Sequence, residues 1–448
     1  MNTTKEKPNN SEASTSAIKS IEASTSAIKS FEASTSAIKS FEASTSANPA
    51  ATSIPAIEGG TPVRETKLYY GHQYLDEADY EAVLEVLKSD YLTCGPKIDE
   101  LEEKLCEITG AKHAVACSNG TAALHMACMA AGIGEGDEII TTPITFAASA
   151  NCALYCGAMP VFADIDPNTY NIDPDAVERL INEKTKAVVA VDYTGQAVDH
   201  DRLDEICRRH GILLIEDAAH AIGTFFDGRA VGSIADMTTF SFHPVKTVTS
   251  GEGGAVLTND DELYKKLLLA RTHGITRDPE LMEHEAEGPW YYEMLNLGYN
   301  YRLTDVQAGL LISQLDKLPM FKERRKEIVS RYNEAFTKLE GVIVQQEHPK
   351  SDTCRHLYIL RLDPDKLTVN RRKFFDAMAA EGVCCNVHYI PVYYFPHYMR
   401  LGFKKGLCPN AEALYDNMMS LPLYYSMTDK DVNDVIEAVK KLADYYRA

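Results

Sequence analysis

The chain has 448 residues, 45% of them hydrophobic, more than one small core requires and enough for two domains. A net charge of −20 argues against a nucleic-acid partner, and no uninterrupted apolar run approaches the roughly 20 residues of a membrane span, so a soluble protein is expected. Eleven cysteines follow no secretory signal, and spacings such as Cys152/Cys156 and Cys384/Cys385 match no zinc pattern, which points to reduced thiols in the cytoplasm and no bound metal.

Residues 11–47 repeat a ten-residue unit, Glu-Ala-Ser-Thr-Ser-Ala-Ile-Lys-Ser plus Ile or Phe, from Glu12, Glu22 and Glu32, truncated after Glu42. Ten helical residues advance about 1000°, so the apolar pair drifts about 80° per repeat and no lasting stripe forms. Residues 1–64 therefore read as a disordered, low-complexity extension. Its serines suit a transit segment, but a Glu in every repeat and no Arg before Arg64 weaken that option.

From Tyr69 onward helix and strand patterns alternate. Residues 76–89 and 98–109 form amphipathic helices. Short apolar strands are predicted at 114–117, 138–142, 160–163, 187–192, 212–216, 237–242 and 254–258, with helices such as 174–182 between them, where Asp173 can cap and Pro174 suits the first position. This order predicts an α/β fold with a mostly parallel sheet in a large domain at 65–320, with ligands at the strand carboxyl ends. One long helix at about 304–335 leads into a smaller α/β domain at 321–448, with strands at 356–362 and 384–388 and helices at 371–380 and 429–446.

Three sites lie where strands end. Ser118-Asn119-Gly120-Thr121 precedes a helix, whose free first amides and dipole suit a phosphate, with the Thr121 hydroxyl adding a bond; a plain capped helix start reads the same way. Asp217 emerges at the end of 212–216, where a carboxylate can hold a pyridine nitrogen protonated, or simply cap a turn. Lys246 follows a strand and precedes the Gly-rich turn Gly251-Glu252-Gly253-Gly254, a place from which an amine can form a Schiff base. Together the three point to pyridoxal phosphate.

The stretches Ser118 to Leu124, Glu216 to His220, Ser241 to Lys246, Gly251 to Gly254 and Gly298 to Asp305 resemble the DegT/DnrJ/EryC1/StrS family of fold-type I sugar-nucleotide aminotransferases. The resemblance runs from about Lys67 to the C-terminus. Local matches at Leu84 to Gly95, Thr141 to Phe146, His273 to Arg277 and Val387 to Val392 are similar to the pseudaminic acid branch of that family. That branch aminates a 4-keto UDP-sugar with glutamate as donor, giving UDP-4-amino-4,6-dideoxy-N-acetyl-β-L-altrosamine.

The resemblance implies that Lys246 is catalytic, that Gly120, Thr121 and Ser241 hold the phosphate, that Phe146 stacks on the ring, and that Asp217 and His220 meet its nitrogen and phenolic oxygen. It implies that Asn300 reaches the phosphate of a neighbouring subunit, hence a homodimer with shared sites. Tyr70, Tyr91, Leu92, Thr93, His388, Tyr389 and Pro391 fall where relatives contact the nucleotide sugar. Arg271, His273, Arg277 and Arg302 are either donors to anionic ligands or ordinary surface residues. The segment 280–294, with Trp290, either closes over the site or pads an interface.

Three rivals fare worse. Sugar dehydratases on this scaffold carry His where this chain has Lys246. A noncatalytic regulator would not need Lys246, Asp217, Thr121 and Ser241 together. A nicotinamide enzyme would need a G-x-G-x-x-G turn after an early strand, and neither Gly132 to Gly136 nor Gly251 to Gly254 supplies one.

Overall fold

The computed structural model describes residues 53–448. The ten-residue repeat lies outside the described residues, as does most of the expected disordered extension.

The main sheet has seven strands: β1 (His113–Cys117), β2 (Glu138–Thr141), β3 (Met159–Phe162), β4 (Thr185–Val191), β5 (Leu213–Asp217), β6 (Met237–Ser241) and β7 (Gly254–Thr258). Their spatial order is β1-β7-β6-β5-β4-β2-β3. The five from β6 to β3 run parallel, and β7 is antiparallel to both of its neighbours. Helices cover both faces, so the central strand β4 is apolar on both sides: Ala187 and Val189 enter one core, Val188 and Ala190 the other.

Each helix start has its local reason. Helix α1 (Glu77–Lys88) opens on a capping box of Asp76 with Asp79, and α2 (Pro96–Thr109) starts on a proline. Helix α3 (Gly120–Ala130) is capped by Asn119, whose side chain accepts from the Ala122 amide. Helix α4 (Ala148–Tyr155) follows the loop after β2.

Three expectations need correction. The single helix over 304–335 is two, α5 (Asp305–Asp316) and α6 (Leu318–Phe336). Pro319 opens the second, because proline has no amide to donate and its ring would clash with the carbonyl four residues back. Residues 53–64 are ordered, not disordered. Arg64 bridges Asp431 at 2.7 Å and Asp434 at 2.6 Å, while the Ala56 and Val63 amides donate to the buried Glu381 carboxylate.

A second sheet of β8 (Val342–Val344), β9 (Tyr358–Leu362) and β10 (Met418–Leu421) is antiparallel and shares a core with α6, Arg371–Ala380 and Asp429–Tyr445. The strand expected at 384–388 shrinks to Val383–Cys384, which pairs in parallel with Leu68–Tyr69. That pairing joins the start of the described chain to its C-terminal part and sets Tyr70 beside His388, with ring centroids 5.1 Å apart.

Candidate active site

A cavity of about 900 Å³ opens at the carboxyl ends of β4, β5 and β6. Its lining includes Gly120, Thr121, Phe146, Asp217, His220, Ser241 and Lys246, with Tyr70, His388 and Tyr389 on the far wall. Ten residues expected to act together from sequence thus face one space.

Its floor is a close approach of backbone. A Cβ at Gly120 would lie 2.8 Å from the Ser241 Cβ, and one at Gly254 would lie 2.5 Å from the Asn119 carbonyl carbon. Only glycine at both points lets the ends of β6 and β7 press against the first turn of α3. The Gly120 and Thr121 amides begin that helix, at its positive end, so the floor is a cradle for an anion.

Asp217 ends β5 and is buried; its Oδ2 accepts from Ser149 Oγ at 2.5 Å and its Oδ1 from the Ala219 amide at 3.2 Å. Burial pushes its carboxyl up, against the pull of those bonds and of Lys246. Such a carboxylate gains most from a cationic partner in the cavity.

Lys246 lies in the turn after β6, its amide bonded to the His243 carbonyl at 2.9 Å. Desolvation brings its amine down to about 8, although the Asp217 charge acts the other way. Burial holds His220 well below the usual histidine range, with Lys246 and His388 adding to the effect, so its ring is neutral. His220 Nε2 meets the Tyr389 hydroxyl at 3.0 Å, and its buried Nδ1 has no partner among the described residues. His388 is lowered to about 4, chiefly by burial, and its Nδ1 is 2.8 Å from Ser420 Oγ. Phe146 is 62% exposed despite lining the cavity, its ring edge-on to Tyr389 with centroids 6.3 Å apart.

The other expected residues lie elsewhere. Tyr91 lines a separate cavity of about 610 Å³ with Arg271 and Arg302. The Leu92 carbonyl accepts from the Asp305 amide, Thr93 bridges Thr304, and Pro391 is buried with its carbonyl accepting from Tyr394. Asn300 is exposed, bridged through its backbone to Thr272, and outside this chain's own cavity. His273 and Arg277 line neither cavity, and Arg271 is paired with Glu102 at 2.6 Å. Trp290, 69% exposed, also lines neither.

Sequence reasoning missed the supports of the site. Ser149, in the first turn of α4, reaches Asp217, and Thr145 in the loop after β2 backs it, their hydroxyls 2.6 Å apart. The ring of His356, just before β9, has its centroid 4.6 Å from that of His220. No local spacing signals either, because each partner arrives from a distant stretch of chain.

Residues 73–440 match the DegT/DnrJ/EryC1/StrS aminotransferase family. The chain belongs to that family. It is a pyridoxal phosphate-dependent aminotransferase, and the cradle, the carboxylate and the lysine fit that cofactor. Among its relatives, the spore coat polysaccharide biosynthesis protein SpsC of Bacillus subtilis is 42% identical over 377 residues, covering 84% of this chain and 97% of SpsC. The UDP-4-amino-4,6-dideoxy-N-acetyl-beta-L-altrosamine transaminase of Campylobacter jejuni is 40% identical over 384 residues, 83% of this chain and 98% of the transaminase. Among solved structures, the sugar aminotransferase Spr1654 of Streptococcus pneumoniae in its PLP form superposes with a TM-score of 0.79 at 31% identity, covering 85% of this chain and 99% of that one. Among the described residues no helix is long and apolar enough to cross a membrane.

Proposed function

We propose that this sugar aminotransferase acts in the cytoplasm on a 4-keto-6-deoxy UDP-N-acetylhexosamine with glutamate as amino donor. The product is UDP-4-amino-4,6-dideoxy-N-acetyl-β-L-altrosamine, an intermediate of pseudaminic acid synthesis. The observation that carries the transaminase reading is one cavity holding a lysine brought down to about 8, a buried carboxylate and a glycine-floored anion cradle. The choice of sugar draws support from the Campylobacter relative.

In this reading Gly120, Thr121 and Ser241 hold the cofactor phosphate, Phe146 covers one face of the ring, Asp217 takes the ring nitrogen and His220 the phenolic oxygen. Bound pyridoxal phosphate supplies the electron sink that makes the donor's Cα–H acidic. Lys246 then carries that proton, a task only its neutral form performs, and desolvation raises the neutral fraction at neutral pH. His220 and His388, kept neutral, add no positive charge that would hinder it.

Tyr70, His388 and Tyr389 contact the sugar nucleotide from the far wall. Tyr91, Leu92 and Thr93 do so only if the site spans a homodimer, in which Asn300 completes the phosphate site of the partner subunit, whereas the buried Pro391 only shapes the turn after Tyr389. Residues 65–320 then form the cofactor-binding domain and 321–448 the smaller one.

SpsC, named for a spore coat polysaccharide, is as similar as the Campylobacter protein, which favours testing other keto sugars alongside. The purified enzyme is incubated with glutamate and a panel of 3- and 4-keto nucleotide sugars, and the amino products are separated by mass and by NMR. Turnover of the 4-keto-6-deoxy UDP-N-acetylhexosamine well above the others supports the proposal. Preference for a 3-keto sugar would overturn the substrate, and no turnover of any would overturn the activity.

A further inference from the structure

Successive strand side chains alternate between faces, so Glu216 points away from the cavity that Asp217 faces. On that hidden side three fully buried groups converge: Glu216, His200 at the start of helix His200–His210, and Asp192 just past β4. One polar atom of each lies within 4.8 Å of the other two. His200 Nε2 is 2.6 Å from Glu216 Oε1, Glu216 Oε2 accepts from the Thr238 hydroxyl at 2.8 Å, and Asp192 Oδ1 accepts from the Val198 amide at 2.9 Å. Asp192 Oδ2 is buried with no donor among the described residues. Two bare carboxylates cannot face each other in a dry core, so the cluster holds either protons or a cation. His200 stands at ion-pair distance from Glu216, and a proton on Asp192 removes the second charge.

We propose that His200 is a positioning residue that balances the charge of Glu216 while Asp192, holding its own proton, adds none, so that the only unbalanced negative charge at this strand end is Asp217, facing the cofactor. The proposal rests on reading Asp217 as the partner of the ring nitrogen. The triad is tied to that residue directly, since the Asp192 amide donates to the Asp217 carbonyl at 3.1 Å and Glu216 precedes it in the strand. Burial lifts the Asp192 carboxyl well above its usual range, and the Glu216 charge adds to this, which keeps its proton in place. Burial acts to raise Glu216 too, but His200 together with the bonds from Asp192 and Thr238 outweighs it and leaves Glu216 below its ordinary value. An uncompensated Glu216 would act on Asp217, whose carboxyl its charge already pushes upward, and Asp217 would keep a proton instead of pairing with the ring.

The test uses the full-length protein. Apoprotein of the wild type, His200→Gln, His200→Gln/Glu216→Gln and Asp217→Asn is titrated with pyridoxal phosphate. His200→Gln should weaken binding about tenfold or more, the coupling usual among touching charges of one network. The double variant, neutral again, should recover most of that loss, which a purely structural role of His200 would not allow. Infrared spectra of the wild type should show a protonated carboxyl band that is missing in Asp192→Asn, a readout independent of cofactor and of any unstable variant. Absence of that band, failure of the double variant to recover, or a stoichiometric divalent cation in the purified protein would overturn the proposal. Asp217→Asn separates the two levels: unchanged affinity there overturns the reading of Asp217 itself, whereas a loss there with none in His200→Gln overturns only the triad's role.

Discussion

Ser149→Ala probes the support of the key carboxylate without touching the carboxylate itself. The Ser149 hydroxyl is buried and donates to Asp217 Oδ2 at 2.5 Å, while its oxygen lies 2.6 Å from Thr145 Oγ1. Loss of one charge-assisted bond of this kind costs about 1.5–3 kcal/mol. If Asp217 pairs with the ring nitrogen, that loss weakens cofactor binding by about ten- to a hundredfold. The variant also leaves the Asp217 carboxyl further above its ordinary value, since Ser149 is the largest of the influences that lower it.

The pH dependence of the apoprotein follows from the sign. Below the unfolded carboxyl range Asp217 is protonated in both states and costs nothing. Between the unfolded value and the raised folded one, only the folded state holds the proton, so stability falls as pH rises, and Ser149→Ala extends that fall to higher pH. Titrating apoprotein with pyridoxal phosphate, together with melting curves from acid to neutral pH, measures both effects. Thr145→Val, which removes only the outer hydroxyl, should show a smaller loss of affinity. Unchanged affinity in Ser149→Ala would refute the idea that this hydroxyl sustains the charge on Asp217.

With its amine at about 8, Lys246 is neutral in about one molecule in ten at pH 7, against fewer than about one in a thousand for an exposed lysine. Cofactor capture by apoprotein should therefore speed up with pH and level off above about 8, and Asp217→Asn should move the midpoint lower by removing a charge that favours the ammonium; a flat profile would count against the assignment. Deleting residues 1–52 should leave melting temperature and rate unchanged, whereas deleting 1–64 should lower the melting temperature, because Asp431 and Asp434 lose Arg64 and buried Glu381 loses two amide donors. Equal melting for both truncations would show that the 53–64 contacts contribute nothing. Asn300→Ala should weaken cofactor retention by about ten- to a hundredfold, one charge-assisted bond. Mixed dimers with Lys246→Ala subunits should regain activity at low cofactor; verified heterodimers that stay inactive would refute donation across the interface.

Strand positions, the anion cradle, Asp217 and Lys246 were legible in the chain itself, because each depends on local order: an apolar run covered on both faces, a helix start, a residue at a strand end. The break between α5 and α6 has a local signal too, Pro319, although the apolar pattern continues across it. Tertiary structure alone decided what stands behind and across from those residues. Ser149 reaches Asp217, His356 meets His220, Tyr70 meets His388, and Asp192 and His200 enclose Glu216, each pair brought together from distant stretches of chain. Arg64, at the end of a stretch with disordered composition, is ordered because two carboxylates of the last helix hold it. Local sequence sets backbone conformation and the face a side chain takes, whereas burial and charge pairing depend on which distant segments the fold packs together. The perturbed acidities of Lys246, Asp217 and His220 come from that packing.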